Sequence, residues 1–298
     1  MRQKEVLSKI FRRTLLIFLV GYLMYWFPFF DFSNGHISLL PFSETRVWGV
    51  LQRIAVTYCL ASLLVYYFKQ KQVIVISALI LIAYWVALHL GGDLSLQGNA
   101  VYKLDRYLLG DDHLYHGEGV AFDPEGLLST FPAVVNVVIG FYVGKYLQVE
   151  PKNPRRLLTI AVLGFLLIAA AFMWNYVFPI SKKLWTSPFT LLTTGLDALI
   201  IVTIIYFVDL KKYFGKCTNF FIIPGNNPLA VYLFSELFIV VLSMIRMPGN
   251  IGFYEWIFQH FFILFTPYIG SFLQAIAYML LCWSLAYWLY RKKIYIRL

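Results

Sequence analysis

Between Leu104 and Gly126 the sequence gathers Asp105, Asp111, Asp112, His113, His116, Glu118, Asp123 and Glu125, while almost everything outside that stretch is apolar. Carboxylates at this density can draw in a cation such as a protonated amine, hold a metal, or move a proton. Histidine is the side chain whose ordinary titration lies nearest neutrality, so His113 suits proton transfer. His113 and His116 would share a face if helical and could then ligate a metal. Gly110, Gly117 and Gly119 around them argue for a loop, so no metal is expected. Asp123-Pro124-Glu125 reads as a cap, a proline at the first helical position and an acid in the first turn, which predicts a helix start. Three further ionisable residues, Arg53, Asp197 and Glu236, fall within or near apolar runs. Charges at membrane depth face a partner or a cavity, so a structural ion pair and a ligand tunnel both stay open here.

The elements that must position these groups are membrane helices. The chain is 60% hydrophobic and 13% charged, with a mean hydropathy of +0.70, which excludes an ordinary soluble domain. The expected fold is all-α: a polytopic membrane bundle forming one domain over 1–298, with a non-cytoplasmic loop at 91–126. About eight runs pass the length test for a span. They lie near 13–30, 48–68, 73–90, 127–147, 157–179, 188–208, 227–245 and 268–290. The stretch 252–265 is too short and polar to span, and is expected as an interfacial or re-entrant helix. Breakers at Pro132 with Asn136, and at Pro224-Gly225-Asn226-Asn227-Pro228, suit backbone that lines a cavity or is buried in protein.

With the N-terminus inside, 18 Lys and Arg fall in inside segments and 6 outside, so both termini are expected in the cytoplasm. The net charge of +10 is therefore a topology signal and not a nucleic-acid footprint. Ten of the 15 acids fall outside, so that face should favour an amine over an anion. Cys59, Cys217 and Cys282 form no disulfide framework and read as idle thiols.

Four stretches carry a resemblance. They are Arg46-Val47-Trp48-Gly49-Val50-Leu51-Gln52-Arg53, Asp105 to Tyr115 with Phe122-Asp123-Pro124-Glu125-Gly126-Leu127-Leu128, Ser181-Lys182-Lys183-Leu184-Trp185-Thr186, and Pro224-Gly225-Asn226-Asn227-Pro228-Leu229. In this order they resemble the heparan-α-glucosaminide N-acetyltransferase family and its bacterial relatives, over nearly the whole chain. The resemblance implies a transmembrane acyltransferase of the bacterial inner membrane. Its donor would be acetyl-CoA, used as a substrate, and its acceptor an amino sugar or glycan on the periplasmic side. It implies Arg53, Asn226 and Asn227 along the acyl-CoA tunnel, and Asp105, Asp111, Asp112, Asp123 and Glu125 around the acceptor. In the family, two membrane segments carrying the histidine regarded as catalytic precede the matching part. This chain begins where the third segment should, which implies either a truncated chain, the favoured reading, or a homologue without the original chemistry; no residue here inherits that role, and His113 is a secondary catalytic candidate. The lipid bilayer is an expected partner, and a homo-oligomer stays open. A catalytically incomplete homologue, an assembly partner and a transporter-like protein are the alternatives.

Overall fold

The computed structural model describes residues 3–31, 37–149, 153–264 and 266–296. Arg2, Lys152 and Arg297, which enter the charge count above, lie outside the described residues. The chain divides into two compact units, one of residues 1–26 with 41–212 and one of residues 27–40 with 213–298.

The first unit holds α1 (Gln3–Trp26), α2 (Val50–Tyr67), α3 (Gln70–Gly91), α4 (Ala100–Leu109), α5 (Thr130–Val149), α6 (Pro154–Asn175) and α7 (Ser187–Ile205). Local sequence explains most of the boundaries. The Lys69 N–H donates to Gln72 Oε1 at 2.9 Å before α3. Asn99 Oδ1 accepts the Tyr102 N–H at 2.8 Å to cap α4, and Gly110 ends it at a φ of +84°. Asn153 caps α6, with Pro154 at its first position.

The second unit holds α8 (Lys216–Gly225), α9 (Pro228–Met244), α10 (Phe253–Ile257) and α11 (Pro267–Arg291), with two small antiparallel strand pairs. Pro228 starts α9 directly after Asn226-Asn227, and α8 and α9 are bent by 76°. The stretch expected to lie in the interface is α10, running on as a wider-wound turn over Phe258–Phe262.

Among the described residues, six helices are long and apolar enough to cross a membrane: α2, α3, α5, α6, α7 with its extension to Leu210, and α11. The protein is thus a polytopic helical membrane protein. The bent pair α8–α9 adds a seventh if it counts as one span. The run expected at 13–30 falls on α1, whose first half carries Lys4, Glu5, Lys9, Arg12 and Arg13, too many charges for that class. A second expectation fails at Asp123. No helix starts there; residues 124–129 form turns and α5 begins at Thr130. The Asp123 carboxylate accepts the Glu125 N–H in a local turn and also binds a distant arginine.

Within the first unit, α6 and α7 approach through glycines. A Cβ on Gly164 would come within 3.0 Å of the Gly195 carbonyl oxygen, and one on Gly195 within 2.7 Å of the Gly164 oxygen. In lipid, where apolar burial gives little drive, such close backbone contact is what holds helices together. Gly195→Leu should therefore separate α6 from α7 and lower the unfolding midpoint in detergent by several degrees or more, whereas Leu196→Ala, on the exposed face, should leave it unchanged.

Candidate functional site

The functional side chains converge where α2 begins. Arg46 precedes that helix, with Gly49 between, because Tyr25 lies against the Gly49 backbone; a Cβ there would be 2.3 Å from the Tyr25 ring. The Arg46 guanidinium donates to both Asp123 oxygens, from Nε at 2.8 Å and from Nη2 at 2.7 Å. Nη2 also donates to Glu125 Oε2 at 2.7 Å. Its plane lies over the rings of Tyr25 and Tyr115, 4.7 and 4.8 Å from their centroids. Asp123 is buried and Glu125 partly exposed. Burial works against the Arg46 charge, but the bond to Asp123 and the carboxylate charges outweigh it, so its pKa is raised.

The turn after Asp123 is locked from within. Asp123 Oδ1 accepts the Glu125 N–H at 3.0 Å. Seven residues beyond Arg46, in the first turn of α2, Arg53 donates from Nη2 to the Pro124 carbonyl at 3.0 Å and to Ser129 Oγ. Its guanidinium stacks 4.7 Å from the Trp185 ring. Arg53 is only 6% exposed, and its Nε and Nη1 have no hydrogen-bond partner among the described residues. Gln52, fully buried beside it, has both amide atoms unpartnered on the same terms. Trp185 Nε1 donates to Asn136 Oδ1 at 3.1 Å, and Asn136 Nδ2 donates to Thr194 Oγ1 at 2.7 Å. A polar chain therefore runs from α2 through the 181–186 loop to α5 and α7.

Asp105 lies on α4, 1% exposed. Its Oδ1 accepts the Leu127 N–H at 2.9 Å, and its Oδ2 has no partner among the described residues. A Cβ on Gly126 would fall 2.1 Å from that Oδ2, so only glycine admits the carboxyl. Burial pushes its pKa up to about 7, against the Leu127 N–H, which pulls it down.

The sequence-predicted residues separate into groups. Asp123, Glu125 and Arg53 meet at one turn, and Asp105 supports that turn from α4. His113 Nδ1 is 2.7 Å from the Thr45 carbonyl oxygen, and the Val47 N–H donates to the His113 carbonyl at 3.3 Å. His113 thus ties the acidic loop to the segment carrying Arg46. A carbonyl only accepts, so Nδ1 carries the proton and Nε2 is the basic nitrogen of the neutral ring. Asp111 pairs with Arg106 at 3.1 Å, and Asp112 is exposed. Asn226 and Asn227 belong to the second unit. Asn227 is fully buried: its Nδ2 donates to the Ile294 carbonyl at 2.9 Å, and its Oδ1 accepts the Ile296 N–H at 2.8 Å. Asn226 Nδ2 donates to the Ile222 carbonyl at 2.9 Å. Asp197 and Glu236 are exposed on α7 and α9.

Sequence reasoning assigned no role to Arg46, Ser129 or Trp185. Arg46 and Trp185 stand in the quoted motifs, and an arginine beside an acid-rich loop was the available signal. Their partners lie far away in sequence, which no local pattern encodes.

No protein-family model matches the chain. Among curated proteins it is similar to heparan-alpha-glucosaminide N-acetyltransferase of Mus musculus, 29% identical over 291 residues, covering 78% of this chain and 43% of the relative. It is also similar to the protein of that name from Homo sapiens, 26% identical over 294 residues, covering 78% of this chain and 42% of the relative. The chain thus spans less than half the length of these relatives.

The Asp105 geometry carries a pH dependence. Its folded pKa lies above the unfolded value near 4, so the folded state holds the extra proton between about pH 4 and 7. That contribution to stability is complete below the unfolded pKa and is lost as pH rises through about 7. The unfolding midpoint should fall from pH 5 to 8 in the parent and fall less in Asp105→Asn, which keeps the shape without the charge. An identical pH slope in the two proteins would remove Asp105 as its source.

Proposed function

The chain belongs to the heparan-α-glucosaminide N-acetyltransferase family, and on that premise we propose that it takes part in moving an acetyl group across a bilayer. The donor is acyl-CoA on the cytoplasmic side. The acceptor is the amine of an amino sugar or glycan on the periplasmic face of a bacterial inner membrane. The distribution of Lys and Arg supports this orientation, and the acidic loop suits a cationic acceptor.

The observation that carries the reading is Arg53. It is buried at the start of a membrane helix, anchored through one nitrogen, with its other two nitrogens unpaired among the described residues. A buried arginine in that state is suited to a carbonyl or phosphate oxygen. In acyl transfer it would polarise the thioester carbonyl and stabilise the tetrahedral oxyanion. Asp105 and Asp123 hold the 123–129 turn from behind, while Asp111, Asp112 and Glu125 supply the charge that attracts the amine. His113, oriented by the Thr45 carbonyl, presents Nε2 as the atom for taking the amine's proton. Asn226 and Asn227 fix the α8–α9 corner of the second unit through backbone groups at Ile222, Ile294 and Ile296.

Binding of acetyl-CoA to the purified chain in nanodiscs tests the reading. Arg53→Lys keeps the charge but loses the planar fork. It should fold with an unfolding midpoint close to the parent's and bind acetyl-CoA at least about tenfold more weakly, in line with loss of a charge-assisted hydrogen bond. Unchanged affinity in a folded variant would remove Arg53 from the donor site.

A further inference from the structure

The proposed chemistry leaves one feature of the first unit unused. Helices α3 and α6 both pack on α7 but scarcely on each other. The gap between them is a cavity of about 450 Å³, floored by α5 and α7, with Ile74, Leu81, Val138, Tyr142, Leu163 and Leu191 in its walls. It follows α3 from Gln70 to Leu81, which is about 16 Å at the helical rise per residue. One end is shut where Ser187 Oγ donates to the Leu81 carbonyl at 2.7 Å. The lips, Ile74 and Leu163, are more than half exposed, so the slot opens sideways. Ser77, in its wall, has a buried hydroxyl with no partner among the described residues.

At the other end, Gln70 and Tyr146 have basic neighbours in sequence. Lys69 and Lys71 flank Gln70, and Lys145 precedes Tyr146. Arg156 donates from Nη1 to the Tyr146 carbonyl at 2.7 Å and lies 4.5 Å from that ring's centroid. Among the described residues of 68–72, 144–149 and 153–157, Lys69, Lys71, Lys145, Arg155 and Arg156 stand without an acid; Glu150 and Lys152 lie outside the described residues.

From this arrangement we propose that the slot binds one acyl chain of an anionic glycerophospholipid, with its headgroup phosphate held by Lys71, Lys145 and Arg156. An acyl chain reaches the slot from the bilayer without crossing water, and the side opening favours it over a nucleotide-bearing ligand. An ester oxygen of the lipid would satisfy the Ser77 hydroxyl. The bound chain fills the gap between α3 and α6, supplying the packing that the two helices do not give each other.

Native mass spectrometry of the full chain in detergent, with phosphatidylglycerol or phosphatidylcholine added, tests this. The parent should retain one phosphatidylglycerol in preference to phosphatidylcholine. Ala78→Trp and Ile139→Trp each put an indole into the slot, and each should lose that lipid. The combined variant K71Q/K145Q/R156Q should lose at least about tenfold of the anionic preference, since each basic residue near an anionic headgroup adds roughly fivefold. Equal retention of both lipids by the parent would overturn the proposal. So would lipid retention that survives both tryptophan variants, as would displacement of the lipid by acetyl-CoA, which would give the slot to the donor. Arg53 lines no part of this slot, so Arg53→Lys should retain the lipid whatever its effect on acetyl-CoA.

Discussion

The bonds from Arg46 to Asp123 and Glu125 are the constraint on which the rest of this site depends. A buried carboxylate and a half-buried guanidinium are each costly to remove from water. Here both Asp123 oxygens are met by the bidentate fork, one of its nitrogens is shared with Glu125, and two aromatic rings lie against the guanidinium. Desolvation is offset by these charge-assisted bonds from Nε and Nη2. An acid-rich loop between membrane helices would otherwise repel itself and stay in water. With Arg46 in place, its strongest charge is neutralised at one end of α2 and the 123–129 turn is fixed against the bundle.

That anchor sets the environment of Arg53. The Pro124 carbonyl and Ser129 hydroxyl hold one nitrogen, and the Trp185 ring holds the face. Trp185 in turn is positioned through Asn136, a polar residue in α5 whose amide reaches α7. Each member of this chain comes from a different segment of the first unit, so moving the turn would disturb the guanidinium and the indole together. Polar networks of this kind are costly when partly satisfied, and the unpaired donors of Arg53 and Gln52 are the places where a bound group or water would complete it.

The membrane helices were legible because hydropathy and length suffice for them, as α3 and α6 show by matching expected spans within a few residues at most termini. Helix α1 departed for an equally local reason, the charges in its first half. At Asp123 the local bond to the Glu125 N–H formed without a helix following it, and the carboxylate's other partner, 77 residues away, was not readable from neighbours. Helix α4, inside what was read as loop, did carry legible caps at Asn99 and Gly110, which the run of glycines and acids around them obscured. The polar corner at Asn226-Asn227 was read as tunnel lining. Its side chains bind backbone at Ile294, Ile296 and Ile222, and the first two of those contacts depend on where the chain's last segment lies.

The most direct test of this account is a double-mutant cycle on Arg46→Gln and Asp123→Asn, read from unfolding of the chain in detergent. Each single change breaks the pair, Arg46→Gln leaving buried Asp123 without its guanidinium and Asp123→Asn leaving half-buried Arg46 with Glu125 alone, and each should cost about 3 kcal/mol. The account predicts that the double variant costs about the same as either one, so that the coupling is of similar size. It also predicts that limited proteolysis will open the 104–126 segment in all three variants before the helices. Additive costs, with the loop as protected as in the parent, would contradict it and show that the acidic loop holds its place without Arg46.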